Sequence, residues 1–182
     1  KFTGASAVVV AHDMRPSGPD LVDAFQRGLL AHGVSVTNLG LASSDLLYYA
    51  SGKLDMPGAM FTASHNPAQY NGIKCCLSGA RSIGIDNGLR EMKTIAAEVL
   101  AGREPAMAAT AGKLDHVNML SEFADHVVRF IAGDTLRPLK IVADTANGMG
   151  GLVVPAVFDR LSAFELEVMY GELDGTFPNH PA

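Results

Sequence analysis

Short apolar runs alternate along this chain with segments of helical spacing, and this order predicts an α/β protein. Residues 8–11 form a continuous apolar run, which is typical of a strand buried on both faces. Residues 17–20 (Ser-Gly-Pro-Asp) have the composition of a helix start, and Gly33 ends the apolar stripe that follows. The same reasoning predicts strands at 34–39, 58–63 and 73–77 and helices at 43–52 and 86–102.

The connection between the predicted strands 58–63 and 73–77 is too short for a helical crossover. We therefore expect the later strand to run antiparallel to the earlier one, while the others are parallel. The predicted fold class is α/β, with a mixed, mainly parallel sheet between helices. Cys75 and Cys76 are adjacent, so alternation along the strand points them to opposite faces and argues against a redox or metal pair.

The pattern of the chain starts again near residue 138. Residues 102–112 are rich in Ala, Pro and Gly and are typical of a surface connection. A helix is predicted from about Asp115 through Ile131 to Gly133, and then come a strand at 139–144, a helix at 152–161 and a strand at 164–169. We predict one nearly complete domain over 1–135 and the truncated beginning of a second, similar domain over 136–182.

Composition and charge narrow the classes of partner. Hydrophobic residues make up 48% of the chain, which is enough for a sizeable core. The net charge of −5 and only 14 Lys and Arg argue against a nucleic-acid-binding protein. No apolar stretch is long enough to span a membrane. With no disulfide pattern, the default location is a reducing cytoplasm. Oligomeric state is not encoded in any of these features.

One loop concentrates the candidate chemistry. Ser64, His65 and Asn66 follow a predicted strand on a turn imposed by Pro67, and Lys74 follows an Asn-Gly turn shortly afterwards. A serine hydroxyl can accept and donate a phosphoryl group. Because sites form at the carboxyl ends of parallel strands, Arg15, which follows the first strand, can reach the same crevice as Ser64.

Each candidate residue also has a structural interpretation. Arg15 can bind phosphate through its forked guanidinium or pair with Asp13 or Asp20. His65 can hydrogen-bond phosphate or a sugar hydroxyl, or simply be exposed. Asn66 can bind substrate, but support of the turn is its favoured role. Lys74 can stabilise transferring oxygens or act as a general acid or base, or be an ordinary surface lysine.

Two other signals are weaker. The glycine-rich segment 147–151 follows a strand but lacks the order of a dinucleotide or P-loop motif, so tight strand-to-helix packing is favoured over phosphate binding. Asp144 and Asp174 have no acidic neighbour at metal-ligand spacing, and we interpret both as structural.

The chain resembles the α-D-phosphohexomutases, the family of phosphomannomutase and phosphoglucomutase, over nearly all of its length. The most specific stretch is Thr-Ala-Ser-His-Asn-Pro at 62–67; segments 10–15, 39–40, 70–74, 144–151 and 175–180 support it. The resemblance implies exchange of phosphate between the 1 and 6 positions of mannose or glucose phosphate. A phosphoserine at Ser64 and a hexose 1,6-bisphosphate would be the intermediates, the bisphosphate also serving as activator.

The resemblance further implies Mg²⁺ bridging the Ser64 phosphate and an acidic loop, with Arg15 and Lys74 assisting phosphoryl and proton transfer. Hexose phosphates are then the expected partners. The family's Asp-Gly-Asp-x-Asp-Arg metal loop, sugar-recognition loop and later phosphate-binding domain are absent from this sequence. We therefore expect this fragment alone to be inactive or nearly so.

Three alternatives remain open on the sequence. The chain could belong to a phosphoglucosamine mutase, although the Tyr-Asn-Gly-Ile-Lys segment at 70–74 is closer to phosphomanno- and phosphoglucomutases. It could be a sugar-phosphate-binding or regulatory module without turnover. A serine hydrolase or phosphatase using Ser64 and His65 is the third alternative, but no acid is placed to orient the histidine.

Overall fold

A computed structural model describes residues 2–131 and 136–181 of the chain. Six strands form the main sheet, in the order β5-β4-β3-β1-β2-β6. Strand β1 pairs in parallel with β2 and with β3, and β2 pairs in parallel with β6. The strands are Ala7–His12 (β1), Ser35–Leu41 (β2), Gly58–Phe61 (β3), Ile73–Leu77 (β4), Arg81–Ser82 (β5) and Leu114–His116 (β6).

Helices cover both faces of this sheet. On one face α2 and α4 bury Val9 and Ala11 of β1, and on the other face α1 buries Val10. Strand β1 is therefore apolar on both sides, and the prediction from its continuous apolar run is confirmed. The helices are Gly18–Ala31 (α1), Ser44–Leu54 (α2), Leu89–Leu100 (α3) and Leu120–Val128 (α4).

Strand β4 runs antiparallel to β3, as the short connection predicted. The two cysteines on β4 point to opposite faces, which is also confirmed. Cys76 is buried beside Ser51 of α2, whereas Cys75 packs against the apolar cluster under α1. Burial raises the pKa of the Cys75 thiol, so its reactive thiolate form is disfavoured.

The helix predicted from Asp115 is wrong at its beginning. Residues Leu114–His116 form the edge strand β6, and α4 begins only at Leu120. The backbone N–H of Val36 donates to the carbonyl of Lys113 at 2.8 Å, so β6 satisfies the open edge of β2. The parallel pairing of β6 with β2 therefore outweighs the apolar spacing that indicated a helix. The predicted helix end at Gly133 lies outside the described residues.

Other predicted boundaries shift by a few residues. Strand β3 ends at Phe61, so Thr62 and Ala63 belong to the loop that follows it. Helix α3 begins at Leu89, after a short 3-10 helix at Ile85–Asn87, rather than at Asp86. Strand β5 was not predicted, because two residues carry no periodic pattern.

The remaining strands form a separate sheet. Strands Leu139–Asp144 (β7) and Phe164–Met169 (β8) pair in parallel, and helix Gly150–Phe158 (α5) connects them. Arg160, just after α5, donates from Nη2 to the Ser121 hydroxyl of α4 at 2.8 Å. The predicted boundary after residue 135 borders residues 132–135, which lie outside the described residues. Among the described helices, none combines the length and the apolar character required to cross a bilayer.

Candidate active site

Ser64 lies at the carboxyl edge of the main sheet, in the loop after β3. We call residues 62–72 the Ser64 loop. Strands β1 and β3 are parallel, so the residues that follow them reach the same edge of the sheet. The backbone N–H of Asp13, just after β1, donates to the carbonyl of Phe61 at 3.0 Å. The structure therefore brings Arg15 and Ser64 together, as the order of strands predicted.

The backbone of Ser64 is left-handed, with φ at 56°. A residue with a side chain adopts this conformation only at a cost of about 1–3 kcal/mol, so its surroundings must hold it there. Its backbone N–H donates to the Thr62 hydroxyl at 3.0 Å, and the residue is exposed. The turn directs the serine out of the sheet edge, where its hydroxyl is accessible.

Arg15 is buried beneath the Ser64 loop. Its side chain is 0% exposed and pairs through Nε with Asp13, whose side chain is 5% exposed, at 3.2 Å. The two terminal nitrogens donate to carbonyl oxygens of the loop at distances of 2.7–3.0 Å. The carbonyls belong to Ser64, Asn66, Pro67 and Tyr70. The salt bridge to Asp13, one of the structural alternatives for Arg15, is thus present together with a clamp on the loop.

Asp13 and Thr62 complete this buried polar cluster. The Thr62 hydroxyl donates to Asp13 Oδ2 at 2.6 Å, and the backbone N–H of Arg15 donates to Asp13 Oδ1 at 3.0 Å. Both residues are buried, and every polar atom of the cluster has a partner, as buried polar groups require. The sequence offered Asp13 only as an ion-pair partner of Arg15, and it gave no signal for the role of Thr62.

A cavity of about 350 Å³ opens above Ser64. We call it the Ser64 pocket. From the main sheet it is lined by Ser64, His65 and Ser44. From the other side it is lined by Thr145, Ala146, Gly148, Met149 and Phe177. The carboxyl end of β7 therefore faces the carboxyl end of β3 across one space.

The glycine-rich segment after β7 has a packing role and also faces the Ser64 pocket. A Cβ on Gly151 would collide with the carbonyl oxygen of Gly171, so the close approach of α5 to the chain after β8 requires glycine. This confirms the interpretation of tight strand-to-helix packing. Gly148 and Met149 line the Ser64 pocket as well. Sequence reasoning missed this position, since it depends on how the two sheets are placed.

Of the other predicted site residues, His65 lines the Ser64 pocket, Asn66 supports the turn and Lys74 lies outside the pocket. His65 is exposed and lines the Ser64 pocket. The side chain of Asn66 donates to the carbonyl of Ala63 at 2.9 Å, which supports the turn. Lys74 is exposed on β4, opposite Met60. It lines a second cavity of about 340 Å³ along β4 and β5, so the structure does not bring Lys74 into the Ser64 pocket.

Two aspartates near the second sheet make local contacts. Asp144 accepts from the backbone N–H of Ala146 at 3.0 Å and from His180 Nε2 at 3.0 Å, and both contacts lower its pKa. The carbonyl of Pro181 and then Asp144 raise the pKa of His180. Asp174 accepts from the backbone N–H and the hydroxyl of Thr176, which lower the pKa of its carboxyl.

The described residues do not form a complete metal site. Within residues 2–131 and 136–181, no three His, Cys, Asp or Glu side chains lie close enough together to hold a metal ion. Ser64 itself, once phosphorylated, would present phosphate oxygens, which suit Mg²⁺. The described side chains do not supply the remaining ligands.

Comparisons with known proteins match this chain to one family. The model of the family described as phosphoglucomutase/phosphomannomutase, alpha/beta/alpha domain I, matches residues 1–103. A protein from Xanthomonas campestris pv. campestris named "Phosphohexose mutases" is 37% identical over 174 residues, covering 94% of this chain and 38% of that protein. A phosphomannomutase of Salmonella typhimurium is 35% identical over 185 residues, covering 98% of this chain and 40% of that protein.

A solved structure gives the same match. The X-ray structure of a phosphoglucomutase/phosphomannomutase family protein from Burkholderia thailandensis superimposes with a TM-score of 0.78 at 32% sequence identity. The superposition covers 98% of this chain and 38% of that one. The chain spans about two fifths of the length of these relatives.

Proposed function

The chain belongs to the phosphoglucomutase/phosphomannomutase family, and on this premise we propose that it carries the phosphoserine of a hexose phosphomutase. In this proposal, phosphorylated Ser64 donates its phosphoryl group to a hexose monophosphate. The P–Oγ bond breaks, a bond from phosphorus to a sugar oxygen forms, and the proton of the sugar hydroxyl is transferred to Ser64 Oγ, which becomes a free hydroxyl. The hexose 1,6-bisphosphate then reorients within the site so that its other phosphate faces Ser64. Transfer of that phosphate to Ser64 completes the movement of phosphate between C1 and C6.

One observation carries the proposal: an exposed serine in a left-handed turn opens onto the Ser64 pocket. The φ of 56° at Ser64 is a strained conformation, and such strain is concentrated at functional sites. The cavity of about 350 Å³ above the serine is of the size of small-molecule sites. His65 lines the same cavity, and in this proposal it hydrogen-bonds a phosphate or a sugar hydroxyl.

The lysine, the ion and the activator enter the proposal as expectations. Lys74, on the strand next to β3, would approach the transferring group after a movement of its flexible side chain. Mg²⁺ would contact phosphate oxygens on Ser64 and neutralise their charge; its other ligands lie outside the described residues. Hexose 1,6-bisphosphate would phosphorylate Ser64 at the start of turnover.

A hydrolase using Ser64 and His65 has less support. Such a triad needs an acid hydrogen-bonded to the histidine. Among residues 2–131 and 136–181, no carboxylate pairs with His65. Asp13, the buried acid that lines the same pocket, is bound by Arg15 and Thr62 instead. The sugar-phosphate-binding module without turnover keeps the same pocket, so the experiment below separates it from the mutase.

The test is to map phosphorylation of the full-length protein by peptide mass spectrometry, before and after adding excess mannose 1-phosphate or glucose 1-phosphate. We expect phosphate on Ser64 that disappears on adding substrate, and we expect none in the Ser64→Ala variant. Ser162→Ala is the control, because Ser162 is exposed and is not among the residues that line the Ser64 pocket, so its loss should leave the phosphorylation unchanged.

Three outcomes contradict the mutase. Phosphate that stays on Ser64 in the presence of substrate would favour the regulatory module. An unmodified Ser64, even after incubation with glucose 1,6-bisphosphate and Mg²⁺, would reduce the loop to a binding element. Stoichiometric labelling of Ser64 by a fluorophosphonate would favour the hydrolase.

A further inference from the structure

Hydrogen bonds around Ser64 close into a ring through three buried side chains. The N–H of Ser64 donates to the Thr62 hydroxyl, which donates in turn to Asp13 Oδ2. Arg15 Nε donates to the same Asp13 oxygen, and Arg15 Nη2 donates to the carbonyl of Ser64 at 2.8 Å. Both backbone groups of Ser64 are therefore held by one connected network. Such a network fixes the left-handed turn more firmly than separate contacts would.

The guanidinium has no N–H group left for a ligand. An arginine side chain carries five N–H donors. One binds Asp13, two bind the carbonyls of Pro67 and Tyr70, and two bind those of Ser64 and Asn66. To contact a phosphate, Arg15 would have to release a carbonyl in a place where the side chain is 0% exposed. Unpaired buried groups of this kind are avoided in proteins.

Only a guanidinium suits this position. Its planar fork reaches carbonyls on two sides of the loop while Nε stays on Asp13. A lysine offers three donors on one nitrogen and cannot reach all of these acceptors at once. The loop therefore depends on the shape of Arg15 as well as on its charge.

The chain after β8 closes the other side of the guanidinium. The ring of Phe177 lies with its centroid 5.4 Å from Arg15 Cζ, within the range of a cation–π contact. A Cβ on Gly175 would approach the Arg15 Cα to 2.7 Å, so the two segments are packed backbone to backbone. Arg15 thus touches the Ser64 loop on one side and the segment 175–177 on the other.

On the premise of the proposed function, we propose that Arg15 is a positioning residue of the phosphoryl-transfer site. It holds Ser64 in its left-handed turn through the loop carbonyls and does not contact the transferring phosphate. This differs from the phosphate-binding role that the sequence indicated. Asp13 and Thr62 also hold Ser64 in this turn, through the hydrogen bond from its backbone N–H to the Thr62 hydroxyl.

The test is Arg15→Lys in the full-length protein, measured in two ways. Steady-state kinetics with mannose 1-phosphate should show kcat lowered by about 10–100-fold, since a small displacement of a reacting group costs this much, with KM nearly unchanged. Backbone hydrogen exchange at residues 64–71 should become faster while exchange in α3 stays as in the wild type. Arg81→Lys, an exposed arginine on β5, is the matched control and should change neither quantity.

Thr62→Val keeps the proposal testable if the lysine variant does not fold. This substitution removes only the hydroxyl that accepts from Ser64 N–H and donates to Asp13 Oδ2. We expect lower kcat, nearly unchanged KM and faster exchange near Ser64. The double variant should lose little beyond the worse single variant, because both changes break one ring.

Two results would overturn the proposal. One is a KM raised tenfold or more by Arg15→Lys with kcat and loop exchange unchanged, which would mean direct contact with the substrate phosphate. The other is wild-type kinetics and wild-type exchange in both variants. Hydrogen exchange of the Ser64 loop is measured without catalysis. A wild-type protein without mutase activity would therefore refute the proposed function, and the exchange data would still show whether Arg15 holds the loop.

Discussion

Single side chains at this site combine burial with charge in two different ways. Arg15 and Asp13 are buried, and their charges are compensated by hydrogen bonds that leave no donor free. Asp144 and His180 are about half exposed, with side-chain exposures of 45% and 42%, and they pair at the carboxyl end of β7. The Arg15–Asp13 pair supports the Ser64 loop. The Asp144–His180 pair is open to solvent, and its charge state depends on pH.

The Asp144–His180 pair predicts a pH dependence. His180 has a raised pKa, so its contribution to stability is complete below its ordinary pKa of about 6.5 and is lost as pH rises through the raised value. Asp144 has a lowered pKa, so its contribution is present above about 3.9 and is lost as pH falls through the lowered value. The pair is therefore fully formed between about pH 4 and pH 6.5.

An NMR titration of the His180 ring proton measures this directly. Asp144→Asn should lower the pKa of His180, though not fully to the ordinary value, because Nδ1 keeps its contact with the carbonyl of Pro181 at 2.9 Å. Asp115→Asn, at an exposed aspartate on β6, is the control. An unchanged His180 pKa in Asp144→Asn would mean that the pair does not form in solution.

At the scale of elements, glycines show which parts of the fold tolerate a side chain. Gly28 is exposed within α1, and a Cβ there would meet nothing within 4 Å. Gly151 is in the first turn of α5, and a Cβ there would collide with the backbone of Gly171. Both are helical glycines, so the intrinsic preference for alanine is similar, and only the neighbouring backbone differs.

We expect opposite effects from the same substitution at these two positions. Gly28→Ala should raise the free energy of unfolding by about 0.5–1 kcal/mol, the difference in helix propensity. Gly151→Ala should lower it by about 1–3 kcal/mol, because α5 must move away from the chain after β8. The midpoint of urea unfolding of the full-length protein gives both values. A stabilised Gly151→Ala would show that α5 does not approach Gly171 this closely.

At the scale of the whole molecule, the Ser64 pocket is lined from two sheets. One wall comes from the segments after β1, β2 and β3, and the other comes from residues 145–146, 148–149 and Phe177. The relatives are about two and a half times as long, since this chain covers 38–40% of them. The described residues also hold no group of three His, Cys, Asp or Glu side chains that could bind a metal ion.

We therefore expect the 182-residue chain, purified alone, to be inactive. It should not interconvert mannose 1-phosphate and mannose 6-phosphate in the presence of Mg²⁺ and glucose 1,6-bisphosphate. The measurement is a coupled assay at high protein concentration, with the full-length protein as positive control. Turnover by the fragment above the Ser64→Ala background would refute this prediction.

Several features could be read from the sequence because they depend on short-range physics. The apolar run at 8–11 predicted a doubly buried strand, and the short connection before β4 predicted an antiparallel pair. The Ser64 segment also marked the candidate nucleophile. The beginning of α4 was predicted wrongly, because residues 114–116 satisfy a distant sheet edge and not a local pattern.

Apart from the short strands β5 and β6, the sequence by itself determined the order of strands and helices, as well as the family and the position of the serine. Each of these depends on neighbours along the chain. Only the tertiary structure decided what Arg15 does. Its carbonyl partners are 49 to 55 residues away, and a guanidinium in the sequence looks the same whether it faces phosphate or backbone. The placement of residues 145–149 and Phe177 over Ser64 was decided in the same way, by packing between distant segments.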